Sequence, residues 1–127
     1  MNSTLDLVLT PLLSKLTAAE LAYIKSSSDD VIKLRRILAF WTLKESYVKA
    51  IGEGLYFDFK RIEFKLTGQE NSLKSTAIAL LDGTELLDWQ CILMEVEIGY
   101  LAALTIRNRK NQIESSPCFP SFSDIVA

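Results

Sequence analysis

The sequence predicts an α+β domain in which helices pack on one face of an antiparallel sheet. Apolar residues recur at helical spacing through residue 51, whereas from Ile62 onward they alternate with polar residues at strand spacing. Helices that precede strands in this way are typical of an α+β fold. Because 49% of the 127 residues are hydrophobic, the chain can build one substantial core.

Two short helical segments are predicted near the amino terminus. Residues 5–16 carry a loose apolar pattern, in which Pro11 must bend the helix or start a new one. Thr17 and Glu20 have the spacing of a capping box, in which each side chain accepts a hydrogen bond from the other residue's backbone. This pair predicts a short helix that ends at about Ile24.

A long third helix is the strongest local prediction. Asp29 or Asp30 can cap its amino terminus, where a carboxylate also favours the positive end of the helix dipole. Apolar residues at helical spacing continue from residue 31 to residue 51. Gly52 follows as a carboxy-terminal stop, and Gly54 opposes any continuation.

Four strands and a tail are predicted after this helix. The strands cover residues 62–66, about 75–81, about 87–96 and 100–106, with Asp82-Gly83 as a hairpin turn. Consecutive apolar residues within them predict burial on both faces at the sheet centre. After Arg107 the composition turns polar and contains proline, so we predict a domain at residues 1–107 and a mobile tail at 108–127.

Composition excludes several kinds of protein. The chain has no histidine, which removes Ser-His and Cys-His catalysis and every zinc site that uses histidine. A formal charge of −2 gives no broad basic surface for duplex nucleic acid. No apolar run is long enough to span a bilayer, and no secretory signal is evident. Only Cys91 and Cys118 are present, so the expected compartment is the reducing cytoplasm.

The long helix carries the candidate chemistry. Trp41, Glu45 and Lys49 are four residues apart and therefore share one side of the helix. The Glu45 carboxylate offers hard oxygen to magnesium, and the Lys49 ammonium offers positive charge to phosphate. The same spacing is also that of an ordinary exposed Glu-Lys ion pair, with Trp41 as a core anchor. Spacing alone leaves both interpretations open.

The full stretch resembles a family signature. Residues 41–49 read WTLKESYVK, and residues 52–55 read GEGL. This is similar to the 4′-phosphopantetheinyl transferases of the surfactin-synthetase-activating type, whose signature is Trp-Ser/Thr/Ala-x-Lys-Glu-Ser/Ala-x-x-Lys followed by Gly-x-Gly-Leu. The residues around Ala50 and Arg61 look most like the eukaryotic cytosolic members, including those that activate aminoadipate reductase in fungal lysine synthesis.

The resemblance implies a holo-[acyl-carrier-protein] synthase, which transfers 4′-phosphopantetheine from coenzyme A to a serine of a carrier protein with magnesium. By position, Glu45 is the metal ligand and a candidate base for the carrier serine. Lys49 is expected to contact the coenzyme A phosphates and to take part in catalysis. Lys44 is expected either to lie near a phosphate and help to bind the cofactor, or to have a structural role. Residues 54–64 resemble the part that meets the carrier, with Phe57 and Phe59 as possible contacts or as core residues.

Family members are pseudo-dimers of two similar halves, and this chain resembles only the carboxy-terminal half. In the family, the amino-terminal half supplies the other acidic metal ligands, and no residues before Trp41 match that acidic pair. Glu95 and Glu97 follow the signature helix and are interpreted as surface charges. We therefore expect the chain to be inactive alone and to need a complementary amino-terminal half as a heterodimer, or less favourably a second copy of itself. Trp41, Ile37, Phe40 and the face of the sheet are expected to form the uncovered interface.

Two other functions stay open at this point. One is a non-catalytic half-domain that binds a carrier protein or regulates a complete transferase. The other is a structural α+β domain in which the signature is a coincidence. The sequence does not specify which carrier is the substrate, nor whether the chain is a natural subunit or a fragment of a longer protein.

Overall fold

Helices pack on one face of an antiparallel sheet in the part of the chain that the structure describes. The computed structural model describes residues 9–52, 56–68, 74–97, 100–109 and 112–118. Within these ranges the sheet has six strands, all joined by antiparallel pairing. The predicted α+β fold class is confirmed.

The first helices are held by the predicted capping box. Residues 9–13 are helical, and helix α1 spans Ala18–Lys25. The Thr17 hydroxyl accepts a hydrogen bond from the Glu20 N–H, while the Glu20 carboxylate accepts one from the Thr17 N–H at 2.9 Å. Both halves of the capping box are therefore present. Residues 5–8, which belong to the predicted first helical pattern, lie outside the described residues.

Helix α2 spans Asp30–Ile51 and is about 33 Å long for its 22 residues. Asp29 is its cap, because its carboxylate accepts hydrogen bonds from the Val31 and Ile32 N–H groups. The helix ends at Gly52, whose φ of 75° lies in the left-handed region that glycine adopts without steric cost. None of the helices described here combines the length and apolar character needed to cross a membrane.

The strands form a meander in the order β1, β2, β4, β5 and β6, and β3 also pairs with β2. Asp82 and Gly83 both have positive φ, 51° and 86°, which is the geometry of the predicted hairpin turn between β2 and β3. The strand bounds are β1 Ile62–Leu66, β2 Lys74–Leu81, β3 Thr84–Glu85, β4 Trp89–Glu97, β5 Tyr100–Arg109 and β6 Gln112–Cys118.

The segment expected to be a mobile tail contains a strand. Strand β6 pairs with β5 in a register that places Cys118 opposite Ala103 and Gln112 opposite Arg109. Composition favoured a tail because the segment is polar and contains Pro117, but a strand at the sheet edge tolerates both features. Residues 119–127 lie outside the described residues.

The core lies between α2 and the face of the sheet that we call the inner face. Ile37, Phe40 and Leu43 of the helix are at most 1% exposed, and they belong to the same cluster as Ile62 and Phe64 of β1. The expectation that Ile37 and Phe40 would form an uncovered interface is wrong, because the chain's own sheet already buries them.

Candidate functional site

The stripe of Trp41, Glu45 and Lys49 lies on the side of α2 that faces away from the sheet. Leu43 and Ser46, both fully buried, mark the sheet-facing side, and the Ser46 hydroxyl contacts the Thr105 hydroxyl of β5 at 2.7 Å. On the opposite side Glu45 is half-buried and Lys49 is exposed. The helix therefore presents both predicted site residues towards solvent.

The Glu45 carboxylate is not used by the part of the fold that the structure describes. Among the described residues it has no hydrogen-bond or ion-pair partner, whereas Lys49 does take part in an interaction of its own. The alternative of a Glu45–Lys49 ion pair is thus not the arrangement found. A half-buried carboxylate without a protein partner is chemically suited to bind a hard cation or to accept a proton.

Lys44 lies in a very different environment from its neighbour. Its side chain is 0% exposed, and its Nζ lies 2.7 Å from Glu20 Oε1. The same ammonium donates hydrogen bonds to the carbonyl oxygens of Lys15 at 2.9 Å, Phe59 at 2.8 Å and Ile62 at 2.8 Å. The cofactor-binding role that the sequence allowed for Lys44 does not fit this position, because no face of the ammonium is open to a phosphate. Of the two roles that were open, the structural one fits.

Glu20 completes the buried network. In addition to Lys44 and the Thr17 N–H, its carboxylate accepts a hydrogen bond from the Phe64 N–H at 2.8 Å. Burial lowers the pKa of Lys44 below its usual range, and the Glu20 carboxylate opposes that shift. Together the two side chains satisfy backbone groups on the edge of β1 that pairs with no other strand among the described residues. Sequence reasoning identified Glu20 only as half of a capping box.

An aromatic cluster borders the stripe at Trp41. The Trp41 and Phe59 rings stack with centroids 5.6 Å apart, and the Lys15 ammonium lies 4.9 Å and 4.8 Å from the two centroids. Phe57 is 7% exposed and packs edge-on against Tyr47. Phe57 and Phe59 are therefore packing residues, which was one of the two roles considered for them.

The exposed aromatic residue in the segment after the signature is Tyr56, at 97% exposure. One tyrosine beside two phenylalanines carries no distinguishing pattern, so no signal in the sequence marks Tyr56. Gly54 and Leu55, which complete the signature, lie outside the described residues.

The described residues form no metal-ligand cluster around Glu45. No group of three or more histidine, cysteine, aspartate or glutamate side chains is close enough there to hold a metal ion. Glu95 instead pairs with Arg35 at 2.7 Å, and Asp29 caps α2. The side chain of Glu97 lies outside the described part.

A cavity of about 40 Å³ lies along the first half of α2, lined by Tyr23, Arg35 and Arg36 from the helices and by Met94 and Glu95 from β4. Its volume is comparable to that of one water molecule, roughly 30 Å³, and far below that of a nucleotide site.

The family model of the 4′-phosphopantetheinyl transferase superfamily matches residues 9–105, which include α2 and its stripe. The chain belongs to this superfamily. It is 32% identical over 97 residues to the mouse L-aminoadipate-semialdehyde dehydrogenase-phosphopantetheinyl transferase, a match that covers 73% of this chain and 31% of the mouse protein. It is 35% identical over 82 residues to the 4′-phosphopantetheinyl transferase pptA of Paxillus involutus, covering 65% of this chain and 28% of that protein.

The matched relatives are much longer than this chain. The rat L-aminoadipate-semialdehyde dehydrogenase-phosphopantetheinyl transferase is 32% identical over 130 residues, which cover 89% of this chain but 42% of the rat protein. The chain thus spans about a third of the length of the curated relatives that it matches. The resemblance seen in residues 41–55 is confirmed at the level of the superfamily.

Proposed function

We propose that this chain is one half of a holo-[acyl-carrier-protein] synthase, which transfers 4′-phosphopantetheine from coenzyme A to a serine of a carrier protein. The observation that supports this most strongly is the position of Glu45. Its carboxylate lies on the solvent-facing side of α2, four residues before the exposed Lys49, and has no partner among the residues that the structure describes. Membership of the superfamily supplies the reaction class.

Glu45 and Lys49 are the residues of this chain that we assign to the reaction. Glu45 is suited to act as one ligand of Mg²⁺ because its carboxylate oxygens are hard donors that no described residue engages. Bound magnesium would neutralise charge on the pyrophosphate of coenzyme A. Lys49, whose side chain is exposed, would hold a phosphate group and stabilise the charge on the transferring phosphoryl.

In the transfer, the carrier serine oxygen forms a bond to phosphorus while the phosphorus–oxygen bond within the pyrophosphate breaks. The adenosine bisphosphate departs with that oxygen, and the serine proton passes to a base. Glu45 is the candidate base, since a half-buried carboxylate can accept a proton from a hydroxyl held beside it. Lys44 has no part in this chemistry and instead fixes α2 against β1.

A complementary half is needed because one carboxylate does not make a magnesium site. The ion keeps an octahedral shell and is usually held by more than one carboxylate or by substrate phosphates. The length of the relatives supports a partner that resembles the rest of those proteins. We therefore propose a heterodimer with a complementary amino-terminal half, inactive without it, and rank a homodimer below it.

The carrier class is proposed from the relatives. The mouse and rat proteins are named for L-aminoadipate-semialdehyde dehydrogenase, so a carrier domain of the aminoadipate-reductase kind, as in lysine biosynthesis, is the first substrate to test. Acyl and peptidyl carriers accept the same 4′-phosphopantetheine group, which we call the arm. We place the reaction in the cytoplasm, consistent with the unpaired, buried Cys91.

A second candidate is a non-catalytic half-domain that binds a carrier or regulates a complete transferase. The absence of a metal-ligand cluster among the described residues favours it. This alternative predicts carrier binding that does not respond to coenzyme A, to magnesium or to the Glu45→Gln substitution.

The intact mass of an apo carrier domain distinguishes these functions. The carrier is incubated with coenzyme A, Mg²⁺ and the purified chain, and again after adding the part of the mouse relative that lies outside the matched segment. Addition of the arm only in the second reaction supports a half enzyme. Addition by the chain alone would show that it completes its own site, and no addition in either reaction favours the non-catalytic half-domain.

A further inference from the structure

Two buried polar anchors lie on either side of Glu45 in helix α2. Lys44, directly before it, is 0% exposed, and its ammonium is held by Glu20 and by three backbone carbonyl groups. Ser46, directly after it, is also 0% exposed, and its hydroxyl lies 2.7 Å from the Thr105 hydroxyl of β5. Glu45 itself has no partner among the residues that the structure describes, so the direction of its carboxylate depends on how the helix is held.

The two anchors resist rotation of the helix about its axis in opposite senses. Successive residues of an α-helix are about 100° apart around the axis, so Lys44 and Ser46 project to either side of Glu45. Lys44 is bound to β1, the first strand of the described sheet, and Ser46 is bound to β5, three strands further along. Rotation in either sense lifts one anchor off the sheet. The pair thus fixes which side of α2 faces solvent, and that side carries Glu45.

Thr105 is itself held in place within the sheet. It is 0% exposed and lies directly opposite Cys91 of β4, whose thiol is also hydrogen-bonded to Thr105. A threonine hydroxyl has one donor and two acceptor sites, so it can serve both partners at once. A buried hydroxyl that loses its partner is not compensated by water. The contact between Ser46 and Thr105 therefore joins helix to sheet at a defined point, in addition to the apolar packing of the core.

We infer that Ser46 and Thr105 are positioning residues for Glu45. This inference rests on the proposed function, in which the Glu45 carboxylate binds magnesium or accepts the proton of the carrier serine. Both tasks need the carboxylate to be held within about 0.5 Å and 10–20° of the productive geometry. Ser46 and Thr105 are both fully buried, so they act on the site through helix α2 and not by contact with substrate.

Removal of one hydroxyl tests the inference. Thr105→Val keeps the shape of the side chain but loses the hydroxyl, whereas Thr105→Ser retains it. Thr76→Val is the matched control, because the Thr76 hydroxyl makes a similar contact with the Thr67 hydroxyl at 2.8 Å. Thr76 pairs with Ile92 and Thr105 pairs with Cys91, and since these neighbours on β4 point to opposite faces, Thr76 lies on the face away from α2.

The side-chain NMR signals of Glu45 in the isolated chain report its surroundings without any need for transfer activity. They are assigned by their loss in Glu45→Gln. We expect them to move in Thr105→Val and to stay close to their wild-type positions in Thr105→Ser and Thr76→Val. Ser46→Ala removes the other hydroxyl of the contact and answers the same question if Thr105→Val does not fold. Glu45 signals that stay unmoved when either hydroxyl is removed would overturn the inference.

A cycle of single and double substitutions separates positioning from a loss of stability. Transfer is measured with the complementary half, coenzyme A and Mg²⁺, at a temperature at which urea unfolding shows every variant to be folded. We expect Thr105→Val to lower kcat about tenfold without raising KM for coenzyme A, and to have little further effect once Glu45 is glutamine. A tenfold loss that persists in the Glu45→Gln background, or that Thr76→Val also causes, would show a structural role only and overturn the inference.

The two readouts separate this inference from the proposed function. If the wild-type complex transfers nothing, the proposed function fails, and the NMR comparison still decides whether Thr105 and Ser46 position Glu45. If the wild-type complex transfers the arm and the Glu45 signals do not move, the proposed function stands and the inference fails.

Discussion

Replacing Lys44 with methionine would test whether this signature lysine is structural. Methionine keeps most of the length of the side chain but removes the ammonium that contacts Glu20 at 2.7 Å and three backbone carbonyls at 2.8 to 2.9 Å. Glu20 is also fully buried, so its carboxylate would lose its counter-charge in a place that water does not reach. The substitution therefore leaves a buried charge without its counter-charge and removes a hydrogen-bond donor from three carbonyl groups.

The expected cost is large for a domain of this size. Removal of one partner of a buried ion pair typically costs about 3–5 kcal/mol. Total stabilities of single domains are about 5–15 kcal/mol, so Lys44→Met would leave the chain close to unfolding. Adding Glu20→Gln removes the stranded charge while an amide oxygen can still accept the hydrogen bond from the Phe64 N–H. The double variant should therefore be more stable than Lys44→Met alone.

Urea unfolding followed by circular dichroism measures these free energies. Lys49→Met is the matched control, because it is the same substitution on the exposed side of the same helix and should change stability by about 0.5 kcal/mol or less. A Lys44→Met variant that loses under 1 kcal/mol, or single-variant losses that simply add in the double variant, would refute the reasoning.

Three further predictions follow from individual residues. Burial raises the pKa of the Cys91 thiol from 9.0 to about 11, so the thiol loses its proton at a lower pH in the unfolded chain than in the folded one. The free energy of unfolding should therefore fall between pH 9 and pH 11, by up to about 2.7 kcal/mol more in the wild type than in Cys91→Ala. Urea unfolding at each pH measures this difference. Gly52→Ala should cost about 1 kcal/mol in the same assay, because φ is 75° although nothing lies within 4 Å of the added carbon. Glu45→Gln should leave the unfolding midpoint unchanged, because the carboxylate stabilises no described neighbour.

Local signals in the sequence were sufficient for most of the helical half. The capping box at Thr17 and Glu20, the cap at Asp29 and the stop at Gly52 all depend on residues within one helical turn, and each is present. The Asp82-Gly83 turn is equally local. Strand β6 was missed because its stability comes from pairing with β5, which is a tertiary contact that composition does not encode.

In the candidate site, too, local spacing could be predicted from the sequence and tertiary contacts could not. The spacing of Glu45 and Lys49 predicted their shared side of the helix, and the structure places them there. The environment of Lys44 was not predictable, because its partners Glu20, Phe59 and Ile62 lie 24, 15 and 18 positions away and meet it only after the fold forms. For the same reason Ile37 and Phe40 were assigned to an interface, although the sheet buries them.

The proposed role of Glu45 is tested most directly by the effect of Glu45→Gln on the transfer of 4′-phosphopantetheine by the assembled complex. The intact mass of an apo carrier domain is followed over time with coenzyme A, Mg²⁺ and the complementary half, using the wild-type chain, Glu45→Gln, or the exposed control Glu85→Gln. We expect normal transfer with wild type and Glu85→Gln, and a rate roughly a hundredfold lower with Glu45→Gln. Transfer by Glu45→Gln at the wild-type rate would contradict this role.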